Sequence, residues 1–330
     1  MNPADLLQLS GGYWSTCALH AAVKLDLFTR MDQGSASAAD ISRLTGCDQR
    51  GMTMLLDALT AIGLVIKCDN IYSLPPHSAT LLSKNSDSYL GHIILHHHHL
   101  MSGWARLDEA VKSGGPVRTN SSRTDDEIAR QSFLLGMFNL AMLNVPLVVP
   151  AIDLSERRSL LDLGGGPGTY AIHFCLHNPE LRATIYDLPS SQRFAEDTIR
   201  RFNLSERISF SGGDILTDDI GSGYDVVWIS HLLHSESPQA AAVILEKALR
   251  SLKPGGLVLV QEFILDVNRA APPFPALFSL NMLLGTDAGQ SYSQTELSEL
   301  MAKAGIETIT RLPLSLPNGA GILSGTAGRN

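Results

Sequence analysis

The first 90 residues carry apolar positions at helical spacing, interrupted by short polar breaks. The segments LLQLSGGYWSTCALHAAVKLDLF, SAADISRLTG and QRGMTMLLDALTAIGLV predict a series of short helices. The run VIKCDNIYSLPP then predicts a small hairpin with Asp69 and Asn70 at its turn. Helices followed by such a hairpin are typical of a winged helix, so we predict a winged-helix-like domain over residues 1–100.

Residues 101–150 continue the helical spacing on both sides of a polar connection. The connection contains SSRTDD, a composition that predicts a flexible surface link. Apolar residues recur at helical spacing after it, through FLLGMFNLAMLNVPLVV. We therefore predict a helical bridge over residues 101–150.

The pattern changes near residue 158, where strand-like runs begin to alternate with helical ones. This alternation is typical of a parallel sheet with crossover helices on both faces. Continuous apolar runs such as LVLV fit strands that are buried on both sides. We predict one α/β domain over residues 151–330, with strands at 159–164, 183–188, 208–213, 225–230 and 256–265 and two strand-like runs, IETITRLPL and GILSGTA, near its end.

Composition and charge narrow the classes of protein to be considered. The 330 residues are 44% hydrophobic and 18% charged, an ordinary globular composition with length for two folded units. The net charge of −8 gives no attraction to anionic membranes or nucleic acid. Four cysteines without CxxC spacing indicate reduced thiols. No leader and no run of 18 apolar residues is evident, so we expect a cytoplasmic protein with no membrane partner.

A winged helix often binds DNA, but the charges here oppose that role. Residues 1–100 contain six Lys and Arg against eight Asp and Glu, and the expected second helix carries only Arg50. Binding to a duplex depends on basic side chains that release counterions. We therefore expect this domain to serve packing or dimerisation, with no nucleic-acid partner.

The motif LLDLGGGPGTYAIHF places a glycine-rich turn between a buried strand and a helix that begins near Thr169. Glycine permits backbone angles and a close ligand approach that a Cβ would block. A dinucleotide fingerprint starting at Gly164 would need glycine where Thr169 stands, and no GK[ST] follows for a phosphate loop. The turn therefore predicts a bound ligand of another kind, and a nicotinamide dehydrogenase is disfavoured.

Two aspartates follow at the ends of the next two predicted strands. Asp187, 19 residues after Gly168, could accept the ribose hydroxyls of an adenosine ligand or cap a helix beside Pro189. Asp214 could accept the adenine amino group or be a turn residue after two glycines. Because ligands bind at the carboxyl ends of such strands, the glycines and both aspartates together predict one nucleoside site.

These motifs, DLGGGPG, YDLP and GGDIL, and the segment from WISHLLH to VQEFIL resemble the S-adenosylmethionine-dependent O-methyltransferases of the caffeate and acetylserotonin type. The resemblance covers nearly the whole chain. It implies a Rossmann-like seven-stranded methyltransferase sheet, a homodimer formed through the N-terminal domain, S-adenosyl-L-methionine as cofactor and a small aromatic methyl acceptor. The implied cofactor contacts are Gly164, Gly166, Gly168, Asp187, Leu188, Asp214, Ile215 and Ser230, the last where plant members carry a lysine.

The resemblance also implies a general base. His234 matches the family histidine in its spacing, 22 residues before Gly256, although Ser235 and Glu236 replace the family's Asp-Trp. A phenol with a pKa near 10 attacks a methyl group poorly until a base takes its proton, and histidine titrates in a suitable range. His231 is the alternative base, and a surface histidine without a catalytic role is the structural alternative.

A carboxylate partner for the base is implied in the fifth strand. Glu262 matches the family glutamate that orients the histidine, and a carboxylate in an apolar strand is costly unless paired. A strand-end ion pair is the alternative. Alignment of the family's GGxExT onto AGQSYS puts Ser291 in place of a second glutamate. Activation would then depend on Glu262 alone, which leaves N- or C-methylation open beside O-methylation.

The resemblance implies that the helical bridge and a segment after the fifth strand line the acceptor pocket. The implied residues are His96, His99, Trp104, Phe133, Met137, Phe278, Asn281 and Met282. Methionine and aromatic residues are also ordinary core residues. His92, His96 and His99 share one helix face, but a single helix seldom supplies the geometry of a zinc site, so we expect no metal.

A second class of function stays open at this point. The replacement of family residues by Ser235, Glu236 and Ser291 would also suit a catalytically silent, cofactor-binding regulator that uses its winged helix. The acidic N-terminal region disfavours it.

Overall fold

The computed structural model describes residues 1–328, and these form two compact units. The first unit comprises residues 1–101 and 127–139, and the second comprises residues 102–126 and the chain from Leu140 onward. The divisions after Met101 and Asn139 fall within helices, and the division after Asp126 falls where a helix begins. The three-part division at residues 100 and 150 stays a prediction.

The first unit is mainly helical and contains one small sheet. Its helices are α1 Pro3–Gly11, α2 Tyr13–Lys24, α3 Leu27–Met31, α4 Ala38–Thr45, α5 Gln49–Ala61, α6 Pro76–Leu82, most of α7 Gly91–Trp104 and the start of α9 Glu127–Val148. The strands β1 Ala36–Ser37, β2 Ile66–Cys68 and β3 Ile71–Ser73 pair antiparallel in the order β1-β3-β2. The predicted hairpin is therefore confirmed, with Asp69 in the left-handed region at φ 53°. Whether this unit is a winged helix stays a prediction.

The second unit contains the alternating elements that the sequence predicts. They are α8 Leu107–Ser113, the end of α9, β4 Ser159–Leu163, α10 Thr169–His177, β5 Arg182–Asp187, α11 Gln192–Arg201, β6 Ile208–Gly212, β7 Tyr224–Ser230, α12 Pro238–Ser251, β8 Leu252–Leu265, α13 Pro273–Gly285, β9 Tyr292–Ser293, α14 Gln294–Lys303, β10 Glu307–Arg311 and β11 Ala320–Thr326.

The strand order of the large sheet is β10-β11-β8-β7-β4-β5-β6. Strands β4 to β8 run parallel to one another, while β11 runs antiparallel to β8 and β10. The predicted α/β fold with a mainly parallel sheet is confirmed. The sheet has an eighth strand beyond the seven expected, because Tyr292 and Ser293 of β9 pair with Ile264 and Leu265 at the end of β8.

Two apolar cores cover the two faces of this sheet. Successive side chains of a strand point to opposite faces, so Trp228 of β7 packs into one core with Phe174 of α10. Its neighbour Val227 packs into the other core with Ile244 of α12. Burial on both faces explains the unbroken apolar runs in the strands and leaves their carboxyl ends as the place for a site.

One helical segment, Glu127–Ala151, is long and apolar enough to cross a membrane by length and composition alone, and 44% of its most apolar window is buried. A core helix that is apolar all round passes the same test, so the finding does not by itself indicate a membrane span.

Candidate active site

The glycine turn joins β4 to α10 as predicted. Gly164, Gly166 and Gly168 all have positive φ, at 73°, 52° and 77°. A Cβ on Gly168 would lie 2.2 Å from Ile185 Cδ1, and a Cβ on Gly165 would lie 2.6 Å from the carboxyl carbon of Asp162. The turn therefore needs glycine both for its backbone angles and for its close packing on the strands below.

Asp162 lies directly beneath this turn and was not singled out by sequence reasoning. It is 2% exposed and accepts one hydrogen bond, from the Ala171 N–H at 3.2 Å. Burial raises the pKa of Asp162 to about 7, and the negative charge of Asp187 raises it further, against that one hydrogen bond. A carboxyl group inside the apolar strand LLDL was the signal that could have identified it, because such a group is costly without a function or a partner.

Asp187 ends β5 beside the glycine turn. Its Oδ2 accepts the Gly166 N–H at 2.7 Å, and its Oδ1 accepts the Leu188 N–H and the Ser191 hydroxyl at 2.6 and 2.9 Å. Burial raises the pKa of Asp187 while these three hydrogen bonds lower it. A carboxylate offers about four acceptor positions, so about one remains for a ligand.

Asp214 follows β6 and is already paired. Its Oδ2 accepts from the Arg123 guanidinium at 3.1 Å, and its Oδ1 accepts the Leu216 N–H at 2.9 Å. Arg123 belongs to SSRTDD, the segment predicted as a flexible link, which forms a short 3₁₀ turn capped by Asn120. Ile215 and Ser230 are half-buried after β6 and at the end of β7.

His234 and Glu262 form a buried pair. His234 lies in a 3₁₀ turn after β7, 8% exposed, and Glu262 lies in β8, 1% exposed. The distance between His234 Nδ1 and Glu262 Oε2 is 2.7 Å. The His234 backbone N–H donates to the other carboxylate oxygen, Glu262 Oε1, at 3.2 Å. Burial alone would raise the pKa of Glu262, but the nearby imidazoles of His234 and His231 lower it well below its usual range.

His231 lies on the other side of the same carboxylate. Its Nδ1 is 3.7 Å from Glu262 Oε2, too far for a hydrogen bond, and its Nε2 is 3.3 Å from Gln261 Nε2. Its φ of 54° is in the left-handed region, which is uncommon for a residue other than glycine. The shorter distance to Glu262 favours His234 over His231 as the histidine that the carboxylate orients.

Aromatic rings surround the two histidines. The Phe278 ring of α13 meets His234 edge-on at 4.7 Å between centroids, and Phe263 lies 4.2 Å from His231. Phe274, which is 40% exposed, packs edge-on against Phe263 at 4.9 Å. Phe278 was predicted, whereas Phe263 and Phe274 were not. These rings form an apolar surface suited to a flat ligand.

The remaining residues predicted for the acceptor divide between the two units. His96, His99, Phe133 and Met137 lie in the first unit, and Trp104, Asn281 and Met282 lie in the second. His96 is buried against Phe133 at 5.2 Å between ring centroids. Asn281 Oδ1 accepts from Arg118 at 3.0 Å, which ties its side chain to the protein rather than leaving it for a ligand.

Ser291, which the sequence alignment puts in place of a family glutamate, is bonded to a neighbouring helix. It is fully buried, and its hydroxyl donates to the Pro275 carbonyl at 2.8 Å. Its backbone N–H donates to the Ser279 hydroxyl at 3.1 Å. Ser291 therefore fastens α13, the helix that carries Phe278.

The chain matches known families over most of its length. Residues 104–307 match the O-methyltransferase domain, and residues 7–84 match the O-methyltransferase dimerisation domain. The chain is 30% identical to 3-hydroxy-5-methyl-1-naphthoate 3-O-methyltransferase of Streptomyces sahachiroi, over 98% of this chain and 95% of the relative. It is 31% identical to the tetracenomycin polyketide synthesis 8-O-methyl transferase TcmO of Streptomyces glaucescens, over 96% of this chain and 95% of the relative.

Solved structures agree with these matches. An O-methyltransferase family protein from Burkholderia thailandensis superimposes with a TM-score of 0.89 at 27% identity, covering 99% of this chain and 98% of its own. PigF, a Serratia protein solved with S-adenosylhomocysteine, superimposes with a TM-score of 0.88 at 26% identity, covering 99% of this chain and all of its own.

Other relatives transfer the methyl group to other atoms. The N,N-dimethyltransferase OxyT of Streptomyces rimosus is 30% identical over 79% of this chain and 78% of its own. The L-tyrosine C(3)-methyltransferase of Streptomyces lavendulae is 28% identical over 89% of this chain and 84% of its own. The matches, the fold and the turn between β4 and α10 together show that this chain belongs to the O-methyltransferase family, whose members are S-adenosylmethionine-dependent enzymes that methylate small molecules.

Proposed function

We propose that this enzyme transfers the methyl group of S-adenosylmethionine to a hydroxyl group of a small aromatic molecule, with His234 as general base. The observation that carries the proposal is the buried contact of 2.7 Å between His234 Nδ1 and Glu262, bordered by Phe278. A base held by a carboxylate is what a weakly acidic hydroxyl requires. An amine nucleophile has less need of one, so this pair supports O-methylation over N-methylation.

The residues at the strand ends fit the cofactor. The positive-φ glycines leave no Cβ between the turn and a ligand, and Asp187 keeps about one acceptor position for a ribose hydroxyl. Asp214 would receive the adenine amino group beside Ile215, sharing its Oδ2 with Arg123 or releasing it. Leu188 and Ser230 would lie beside the cofactor. When bound, the sulfonium supplies a methyl group activated for in-line attack.

The base acts through a fixed tautomer. His234 Nδ1–H donates a hydrogen bond to the Glu262 carboxylate, so the free lone pair of the ring is on Nε2. Nε2 would take the proton of the acceptor hydroxyl as the hydroxyl oxygen attacks the methyl group that the cofactor would supply. Glu262 would stabilise the imidazolium that results.

The aromatic side chains would hold the acceptor. Phe263, Phe274 and Phe278 offer ring faces beside His234, and Met282 and Trp104 belong to the same unit. Contributions from His96, His99, Phe133 and Met137 stay predictions from the family resemblance. Positioning oxygen, methyl carbon and sulfur in line is the main task of such a pocket.

Two measurements test this function. Isothermal titration with S-adenosylhomocysteine should show one site per chain, and no heat at millimolar ligand would overturn the cofactor assignment. A panel of hydroxylated, amino-bearing and carbon-nucleophile aromatics with labelled methyl donor should then show product at oxygen. Product only at nitrogen or carbon would overturn the O-methylation proposal and leave the cofactor site standing.

We also propose that the enzyme is a homodimer formed through its first unit. Helix α1 contains no buried residue, and its Leu6, Leu7 and Leu9 are 56–73% exposed, followed by Tyr13 and Trp14 at 58% and 71%. An apolar patch of this kind is rarely left in water, and residues 7–84 match a dimerisation domain. Sedimentation should give a dimer for the native chain and a monomer for the Leu7→Glu, Trp14→Glu double variant.

A further inference from the structure

Two buried polar atoms beside the proposed base have no hydrogen-bond partner. They are His231 Nδ1 and Gln261 Oε1, and Gln261 is fully buried. A polar atom left unpaired inside a protein costs about 1–3 kcal/mol, and native structures contain few of them. The two atoms belong to side chains that touch each other at 3.3 Å, which points to one missing ligand rather than two separate defects.

The carboxylate of Glu262 completes the group. Its Oε2 is 3.7 Å from His231 Nδ1 and 2.7 Å from His234 Nδ1. These three atoms lie within 4.8 Å of one another, and no other trio of histidine, cysteine and acidic ligands among residues 1–328 does so. Two imidazole nitrogens and one carboxylate oxygen form a donor set that Zn²⁺ accepts, with a fourth position left for solvent.

We propose that His231, His234 and Glu262 form a divalent-cation site that takes Zn²⁺ and thereby inhibits the enzyme. Gln261 does not bind the ion but holds His231 in place through a hydrogen bond. The oxygen and nitrogen of a glutamine amide are assigned from their hydrogen bonds, and with Oε1 turned toward His231 it accepts the Nε2 proton. The Nδ1 lone pair of His231 then faces Glu262. The Nε2 proton satisfies Gln261 Oε1, and a cation between His231 and Glu262 satisfies Nδ1. Such a bond to the second ring nitrogen is usual for metal-binding histidines.

Zinc at this site removes the base. Without metal, His234 carries its proton on Nδ1 and accepts a second one on Nε2. Coordination of zinc by Nδ1 moves the first proton to Nε2, so the ring loses its basic nitrogen while its net protonation stays the same. Inhibition therefore depends on the proposed function, whereas binding of the ion does not. The sequence prediction of no metal concerned the histidine run of α7 and did not weigh this group.

Isothermal titration of the tag-free dimer with zinc chloride, in the absence of methyl donor and acceptor, tests the binding. The native chain should show one site more than the His231→Gln variant. The His177→Gln variant, which makes the same substitution at an exposed histidine of α10, should match the native chain. Equal stoichiometry and affinity for the native chain and His231→Gln would overturn the site.

A second variant tests the role assigned to Gln261. Gln261→Leu should lower the affinity for zinc about 10–100-fold, the usual effect of removing a residue that hydrogen-bonds a metal ligand. An unchanged affinity would overturn that role. Should His231→Gln fail to fold, X-ray absorption of the zinc-loaded native chain decides the matter, because two imidazoles and one carboxylate are expected and any other ligand set contradicts the proposal.

The inhibitory role has its own measurement. Zinc should abolish methyl transfer by the native chain at the concentration that fills the site, while whatever activity His231→Gln retains should not respond. Zinc that binds without inhibiting would overturn the inhibitory role. If the chain methylates no acceptor at all, the titration still reports on the site, so the two proposals fail separately.

Discussion

The two units each contain a group of histidines, and the surroundings of the two groups are opposite. In the first unit, the histidines of α7 and His20 lie near one another and near Lys24, whose Nζ is 3.1 Å from His98 Nε2. In the second unit, His231 and His234 share the buried carboxylate of Glu262. The presence of a histidine therefore does not by itself predict a catalytic role in this chain. The neighbouring charge decides whether the protonated form of each ring is favoured.

The electrostatic contrast is visible in the pKa values. Burial lowers the pKa of His20, His92, His97 and His98, and neighbouring histidines or Lys24 and Lys84 lower it further in all but His97. Those rings favour the neutral state. At the second group, the imidazoles instead lower the pKa of Glu262 and keep it ionised. A buried anion beside a histidine is an arrangement suited to proton transfer.

The largest expected effect is on kcat, and it distinguishes the two groups of histidines. His234→Ala should lower kcat about 10²–10⁴-fold because the acceptor hydroxyl loses its base. The affinity for S-adenosylhomocysteine should stay unchanged, since no cofactor contact is assigned to this side chain. Steady-state kinetics and titration measure the two quantities. His98→Ala is the matched control from the other group, and a loss of only a few-fold in His234→Ala would contradict the assignment of the base.

A smaller effect is expected when the cofactor site is altered instead of the base. Asp187→Asn should weaken S-adenosylhomocysteine binding about 10–100-fold, the range for a lost hydrogen bond to a charged group. Titration measures it, and Asp197→Asn on the exposed face of α11 is the control. If both variants bind equally well, Asp187 is a structural residue that only fastens Gly166, Leu188 and Ser191.

Acidification should change the stability of the two units in opposite directions. The lowered pKa values of His20, His92, His97 and His98 mean that the unfolded first unit binds more protons below pH 6.5, so its stability falls as the pH drops below that value. Asp162 has a raised pKa of about 7, so its protonation stabilises the second unit over the same interval.

Amide hydrogen exchange at pH 7.5 and pH 5.5, corrected for intrinsic rates, measures this difference. Protection should fall in α2 and α7 and hold or rise in β4, which contains Asp162. His20→Leu should reduce the loss in the first unit, because it removes a 4% exposed ring that must otherwise take up a proton. Loss of protection in the second unit first would contradict the comparison.

The smallest effect is expected at His98, a half-buried member of the histidine run of α7. His98→Gln should change the free energy of unfolding by less than about 0.5 kcal/mol, because the amide oxygen can still accept from Lys24 and surface substitutions are usually that mild. Urea denaturation measures it. A loss of several kcal/mol would show that the run is a structural element in its own right.

Much of the proposed cofactor site was predictable because its signals are local. A strand, three glycines with fixed spacing and an aspartate at the end of the next strand each depend on a few adjacent residues, and parallel strands bring their carboxyl ends together. The elements of the sheet followed from the same periodicity. Asp162 was missed because it lies inside an apolar strand, where one polar residue is easily taken for part of the core pattern.

The contacts around the proposed base were not predictable in the same way. His231 and His234 are three residues apart and of one type, and only the folded chain shows that one lies 2.7 Å and the other 3.7 Å from Glu262. The bonds of Ser291 to α13 and the pairing of Arg123 with Asp214 also join residues far apart in the chain. Sequence by itself determined the fold class, the glycine turn and the family, since these depend on periodicity and short motifs. Tertiary structure decided which histidine meets the carboxylate, because a hydrogen bond depends on tenths of an ångström that no spacing rule contains.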